Sequence, residues 1–214
     1  MKKAAWLLLG ALLAGAIIWR TPVNGPWPLV WLLGMIVMGV IRAPHEKENK
    51  QNVIQSSEFN RIEKLLLIAV WLGSAPIPAT HLLFGVFPFA NTSIPVWVSS
   101  IGVLCLVVGL WLFWRSHRDL GRNWSVTLEI REDHNLVDEG VYKRIRHPMY
   151  SAIALIFIAQ ATLINNWFAG YAGLVTFFVM YMIRVPREEE MMRQKFGDAY
   201  RTYEQTTGRL IPKL

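Results

Sequence analysis

The chain has 214 residues, is 53% hydrophobic and only 17% charged, and carries a formal net charge of +7 at pH 7. So few charges exclude an ordinary soluble domain, about a quarter of which is charged. The basic excess does not point to nucleic acid, because it flanks long apolar runs, where basic residues set topology and meet anionic headgroups.

Charge is also unevenly spread. Of the 22 Lys and Arg and the 15 Asp and Glu, 25 fall in residues 115–146 and 184–214, and stretches 4–19, 21–41, 65–114 and 148–183 carry no charge. A helix needs roughly 20 apolar residues to cross a hydrocarbon core of about 30 Å. The fold class expected is therefore all-α: a polytopic membrane protein of about six transmembrane helices.

In chain order, the first span covers 4–19. Its Met1-Lys-Lys start and small-residue end resemble a signal peptide, but further apolar spans follow and no secreted domain does, so it reads as an uncleaved helix. A Pro- and Gly-containing turn over 21–26 leads to a second span at 27–41, and a polar stretch runs over 42–64. The third span, 65–85, contains Pro76 and Pro78 and should kink there. Its His81 is expected to make a structural hydrogen bond. A turn over 88–95 precedes the fourth span, 96–114. Cys105 lies inside it as the single cysteine, so it reads as a small apolar side chain, with no thiol partner for a disulfide or a metal. The last pair, 150–164 and 167–183, is broken at Asn165-Asn166; fifteen residues reach only about 22 Å, short of a full crossing. Six crossings put the basic segments on one side, cytoplasmic by the positive-inside rule, together with both termini. Two domains are expected: N-terminal helices and polar loop over 1–64, and a second unit over 65–214.

The two polar segments bracket the last helical pair, so a short hairpin brings them together. A site there faces the cytosol on one side and the bilayer on the other. The first contains His134-Asn135-Leu136-Val137, then Tyr142, then Arg146-His147-Pro148-Met149-Tyr150; the second contains Arg184-Val185-Pro186-Arg187-Glu188-Glu189, then Phe196-Gly197-Asp198-Ala199-Tyr200. Taken in this order, these motifs resemble the isoprenylcysteine carboxyl methyltransferase family over residues 115–214, with weaker similarity from residue 65. The resemblance implies an S-adenosylmethionine-dependent enzyme whose methyltransferase domain is the unit over 65–214, with a cytoplasmic-side cofactor pocket formed by the C-terminal half. It implies cofactor contacts at His134, Asn135, Leu136, Val137, Tyr142, His147, Pro148, Met149, Tyr150 and Glu188, with Glu129 as a further polar contact upstream, and a substrate-binding role for Arg184.

The side chains suit that chemistry on their own terms. Glu188 or Glu189 can accept from ribose hydroxyls or an ammonium. Tyr142 and Tyr150 offer faces for adenine or a sulfonium. Pro148 suits a helix start, whose N–H groups can receive a carboxylate. Arg184, at the end of an apolar span, demands an anionic partner, and a substrate carboxylate is one. Asn123 and Trp124 are candidates for shaping the site.

Plainer readings stand beside these. His147 can cap a helix, Tyr200 and Tyr203 can belong to an interfacial aromatic belt, and 184–190 can be a solvated helix start. The expected partners are a lipophilic substrate entering from the bilayer and membrane lipid, with no nucleic acid and no metal. Carboxyl O-methylation of a prenylcysteine-like or other lipophilic carboxylate leads. Phospholipid N-methylation, and a noncatalytic lipid-binding or reductase-like membrane protein, remain as alternatives.

Overall fold

The computed structural model describes residues 15, 18–19, 25–49, 54–57, 60–121, 129–131 and 135–213. The expected first span, 4–19, lies almost wholly outside these residues. Seven helices follow from Trp27: α1 (Trp27–Asn49), α2 (Arg61–Ser74), α3 (Pro76–Phe84), α4 (Val96–Leu120), α5 (Pro148–Leu163), α6 (Trp167–Phe196) and α7 (Asp198–Thr206). Short 3-10 turns occupy Pro88–Ala90 and Gly140–Lys143. The polar segments add one antiparallel pair, β1 (Ile54–Ser57) with β2 (Glu129–Arg131), in the register Ile54 to Arg131 and Ser57 to Glu129. The protein is thus a helical, multi-pass membrane protein. Four helical stretches, Trp27–Glu46, Arg61–Phe84, Val96–Leu120 and Trp167–Phe196, are long and apolar enough to cross a bilayer, and Pro148–Leu163 is a shorter apolar helix.

The expected kink is a break. Ala75 leaves helical geometry (φ −138°, ψ −53°) and Pro76 restarts the chain as α3. His81 Nδ1 lies 2.7 Å from the Val86 carbonyl, closing the end of α3. Asn166 caps α6 by accepting from Ala169 N, and its amide donates to Phe87 O and Asn91 Oδ1. One polar residue therefore closes the far end of the bundle.

Three boundaries differ from the sequence reading. The 42–64 stretch is not all loop: α1 runs through Pro44 to Asn49, and α2 begins at Arg61, where Asn60 caps it by accepting from Glu63 N at 3.0 Å. The fourth span continues to Leu120. The sixth continues through the charged run and past Pro186 to Phe196, so 184–190 is helix interior rather than helix start. Hydropathy marks where a bilayer ends, whereas a helix ends where its backbone finds a better partner.

Helices in a bilayer gain little from apolar burial against one another and associate through close packing and buried polar contacts. Both devices occur here. A Cβ on Gly102 of α4 would meet Thr162 Oγ1 of α5 at 2.1 Å, and one on Gly73 of α2 would meet Ala172 O of α6 at 2.6 Å. Gln160 of α5 is fully buried. Its amide nitrogen lies 2.9 Å from Gly73 O and 3.2 Å from Ala169 O, and its oxygen accepts from Trp31 Nε1 of α1. Around it, Phe113, Ala152, Ile156 and Leu163 form the core between α4 and α5.

Candidate active site

Beneath the charged end of the bundle lies a cavity of about 500 Å³. Its upper wall is polar and aromatic: Tyr142, His147, Tyr150, Arg184, Glu188, Tyr200 and Tyr203. Its lower wall is apolar, from Met35 and Met38 of α1, Leu67, Val70 and Trp71 of α2, Ile153 and Phe157 of α5 and Met180 of α6. A few convergent polar groups over an apolar floor is the usual composition of a small-molecule site.

The polar wall is built around two adjacent acids on α6. Glu188, partly exposed, accepts from Tyr150 Oη at 2.7 Å and lies 3.7 Å from His147 Nδ1. Glu189 is fully buried. It accepts from Arg146 Nε and Nη2 at 3.3 and 3.2 Å and from Arg209 Nε at 3.0 Å, and Arg209 Nη2 also donates to it. His147 Nε2 lies 3.1 Å from Glu189 Oε1. A carboxylate held by two guanidiniums only accepts, so Nε2 donates and Nδ1 turns toward Glu188. Arg146 reaches on to the carbonyls of Glu204 and Thr207. The backbone closes the same joint. Arg146 N donates to Gly208 O at 2.7 Å, His147 N to Arg209 O at 3.0 Å, and Ser151 Oγ to Leu210 O at 2.6 Å. The segment after α7 is thereby strapped across the start of α5.

Arg184, one helical turn before Glu188, is buried and pairs with Glu63 of α2, Nη1 to Oε1, at 2.9 Å. Both tyrosines first assigned to a surface belt are interior: Tyr200 is 2% and Tyr203 8% exposed. Tyr203 Oη donates to Tyr142 O at 2.6 Å, which ties α7 to the 140–143 turn. Burial, above all, pushes the phenols of Tyr142, Tyr200 and Tyr203 above their ordinary value, so each keeps its proton at neutral pH.

Among the expected cofactor residues, Asn135, Leu136, Val137, Tyr142, His147, Met149, Tyr150 and Glu188 line the one cavity, as does Arg184. Pro148 does not line it; it occupies the first turn of α5, after His147, whose side chain makes no cap. Glu189 is corrected: its carboxylate faces Arg146, His147 and Arg209 rather than the cavity, and it holds the wall together. His134, Asn123, Trp124 and the side chain of Glu129 lie outside the described residues. The sequence reading missed Glu63, Tyr200, Tyr203, Arg42 and the methionines of α1. Glu63 had a signal in Asn60-Arg61-Ile62-Glu63, the spacing of a cap and a third-position acid at a helix start. The α1 contribution had none, because its apolar pattern only says "membrane".

The cavity suits S-adenosylmethionine. Its volume of about 500 Å³ lies within the range of small-molecule sites. Glu188 presents an anionic acceptor at its edge, and four tyrosines line the same wall. Among the described residues no cluster of His, Cys, Asp or Glu could hold a metal.

Comparison with known proteins adds an independent line. Residues 97–199 match the family model for phospholipid methyltransferase. Over 118 residues, 54% of this chain, the protein is 30% identical to protein-S-isoprenylcysteine O-methyltransferase B of Arabidopsis thaliana, covering 60% of that relative's length. It is 26% identical over 226 residues to methanethiol S-methyltransferase of a Pseudomonas species, covering 97% of this chain and 84% of the relative. The structure superposes on that of a eukaryotic intramembrane Ras methyltransferase, an isoprenylcysteine carboxyl methyltransferase. The TM-score is 0.58 at 22% identity, with 95% of this chain and 74% of the other covered.

Proposed function

From the premise that residues 97–199 match the phospholipid methyltransferase family and that the chain has the isoprenylcysteine carboxyl methyltransferase fold, we propose that this protein is an S-adenosylmethionine-dependent carboxyl O-methyltransferase acting on a lipophilic carboxylate, prenylcysteine-like in character. The observation that carries the reading is one cavity in which Arg184 and Glu188, His147 and Tyr150 meet above an apolar floor.

When bound, the donor would supply a methyl group on a cationic sulfur for transfer to a carboxylate oxygen, with the carbon–sulfur electron pair left on sulfur. An acceptor carboxylate is already ionised at neutral pH, so no residue here has to remove a proton. The protein's work is orientation and exclusion of water. Glu188, oriented by the Tyr150 hydroxyl, takes a donor hydroxyl or ammonium. Tyr142, Tyr200 and Tyr203, kept neutral by burial, supply aromatic and hydrogen-bonding surface. Arg184 receives the acceptor carboxylate with its planar donor edge. The apolar floor from α1, α2 and α5 takes the lipid portion. His134 and Glu129 keep their family-derived assignment as cofactor contacts in this reading. The charged end of the bundle faces the cytoplasm, by the positive-inside rule.

A second reading has its own support: the relative similar along 97% of this chain is a thiol methyltransferase, and Arg184 is already paired with an acid. A small thiol is then the acceptor. Purified protein is offered labelled S-adenosylmethionine with N-acetyl-S-farnesylcysteine, methanethiol or phosphatidylethanolamine. Transfer to the farnesylcysteine carboxylate is expected. Transfer to the thiol alone favours the second reading, and transfer to the amine alone overturns both.

A further inference from the structure

We propose that Glu63 is a positioning residue that shares Arg184 with the acceptor carboxylate, tempering the hold on the nucleophile so that it can react. The inference rests on the carboxylate-acceptor reading above, and it concerns a residue outside the 97–199 family match.

The geometry is specific. Glu63 sits in the first turn of α2, 1% exposed, with its backbone N–H taken by the Asn60 cap. Its Oε1 lies 2.9 Å from Arg184 Nη1, and both side chains are withdrawn from solvent. Close packing of α2 on α6 at Gly73 and Ala172 sets the separation of the two helices. Two ionic groups buried so deeply need each other, because an isolated one is costly to hold there. Arg184 is therefore not a bare cation waiting for a ligand. It reaches the cavity already paired with Glu63.

The other arginines at this cavity follow the same pattern. Arg146 pairs with Glu189 and Arg42 with Glu46 at 2.9 Å. Glu188 is the acid among the described residues lining the cavity, and it faces where the cationic donor is proposed to bind. The site is compensated wherever the acceptor binds and acidic where the donor binds.

This matters for rate. A carboxylate nucleophile gives up its charge as it becomes an ester. An uncompensated guanidinium would stabilise the charged ground state more than the transition state, lowering KM and kcat together. Glu63 offsets that attraction.

The test is steady-state kinetics of Glu63→Gln and Glu63→Asp with S-adenosylmethionine and N-acetyl-S-farnesylcysteine. For Glu63→Gln, KM for the acceptor and kcat should both fall about fivefold, leaving kcat/KM nearly unchanged. Inhibition by the methyl ester product should change little, because the ester carries no charge for the freed guanidinium to hold. Glu63→Asp, which draws the charge back by one methylene, should move both parameters the same way by a smaller factor. It decides the matter if the glutamine variant does not fold. A rise in KM, or a fall in kcat at constant KM, in whichever variant folds would overturn the proposal, since a merely structural role loosens the site. S-adenosylhomocysteine affinity is measured in parallel. Wild-type protein that binds it and methylates the acceptor, yet shows no split in the variants, removes only the role of Glu63. Wild-type protein that does neither removes the carboxyl methyltransferase reading itself.

Discussion

Glu188 and Glu189 are neighbours in sequence with opposite duties. Adjacent helix positions point about 100° apart, so one acid reaches the cavity while the other turns back into the joint between α5, α6 and the C-terminal strap. Glu188→Gln should keep the fold and weaken S-adenosylhomocysteine binding about 10- to 100-fold, the range for losing one charge-assisted hydrogen bond, as read by calorimetry. Glu189→Gln should instead lower the thermal midpoint, with a stability loss of about 3 kcal/mol, because Arg146 loses its buried counter-charge. The tyrosines carry a pH prediction. Their folded values lie above the ordinary 10.0, so their contribution to stability is complete below pH 10 and declines as pH rises beyond it. Thermal midpoints should hold from pH 7 to 9.5 and fall above 10, and replacing Tyr203 by Phe should shrink the fall.

Among the elements, α2 and the segment after α7 brace the site from its two sides. Gly73 lets α2 touch α6 closely enough for Glu63 to meet Arg184. Gly73→Val should push the helices apart and cost about 2 kcal/mol of stability, read as a lower thermal midpoint. The C-terminal strap supplies three acceptors to Arg146, His147 and Ser151 at the start of α5. Deleting 207–214 should abolish S-adenosylhomocysteine binding even though, among the described residues, none of 207–213 lines the cavity. Retention of binding in the truncated protein would show that the α5 start is set by its own helix alone. Helix placement itself was readable from apolar runs and Pro, Gly and Asn positions, as at Pro76 and Asn166. The ends of α4 and α6 were not, because charged residues continue a helix as readily as apolar ones.

For the whole molecule, the arrangement is a membrane bundle whose charged end holds a cavity with an apolar floor. In a Cys105→Ser background, a cysteine at Thr92 and one at Asp138 should label from opposite sides of a sealed vesicle, and labelling from the same side would refute the proposed crossing pattern. The sequence by itself determined that the protein is helical and membrane-bound and that the Arg146–Tyr150 and Arg184–Glu189 motifs lie close together. Those features follow from local hydropathy and short spacings, which survive without knowledge of neighbours. Only the tertiary structure decided that Glu189 faces inward, that Tyr200 and Tyr203 are interior, and that Glu63, more than a hundred residues earlier in the chain, is the partner of Arg184. The physical reason is that a buried charge is defined by what is packed against it, and packing between distant helices leaves no periodic trace in either one.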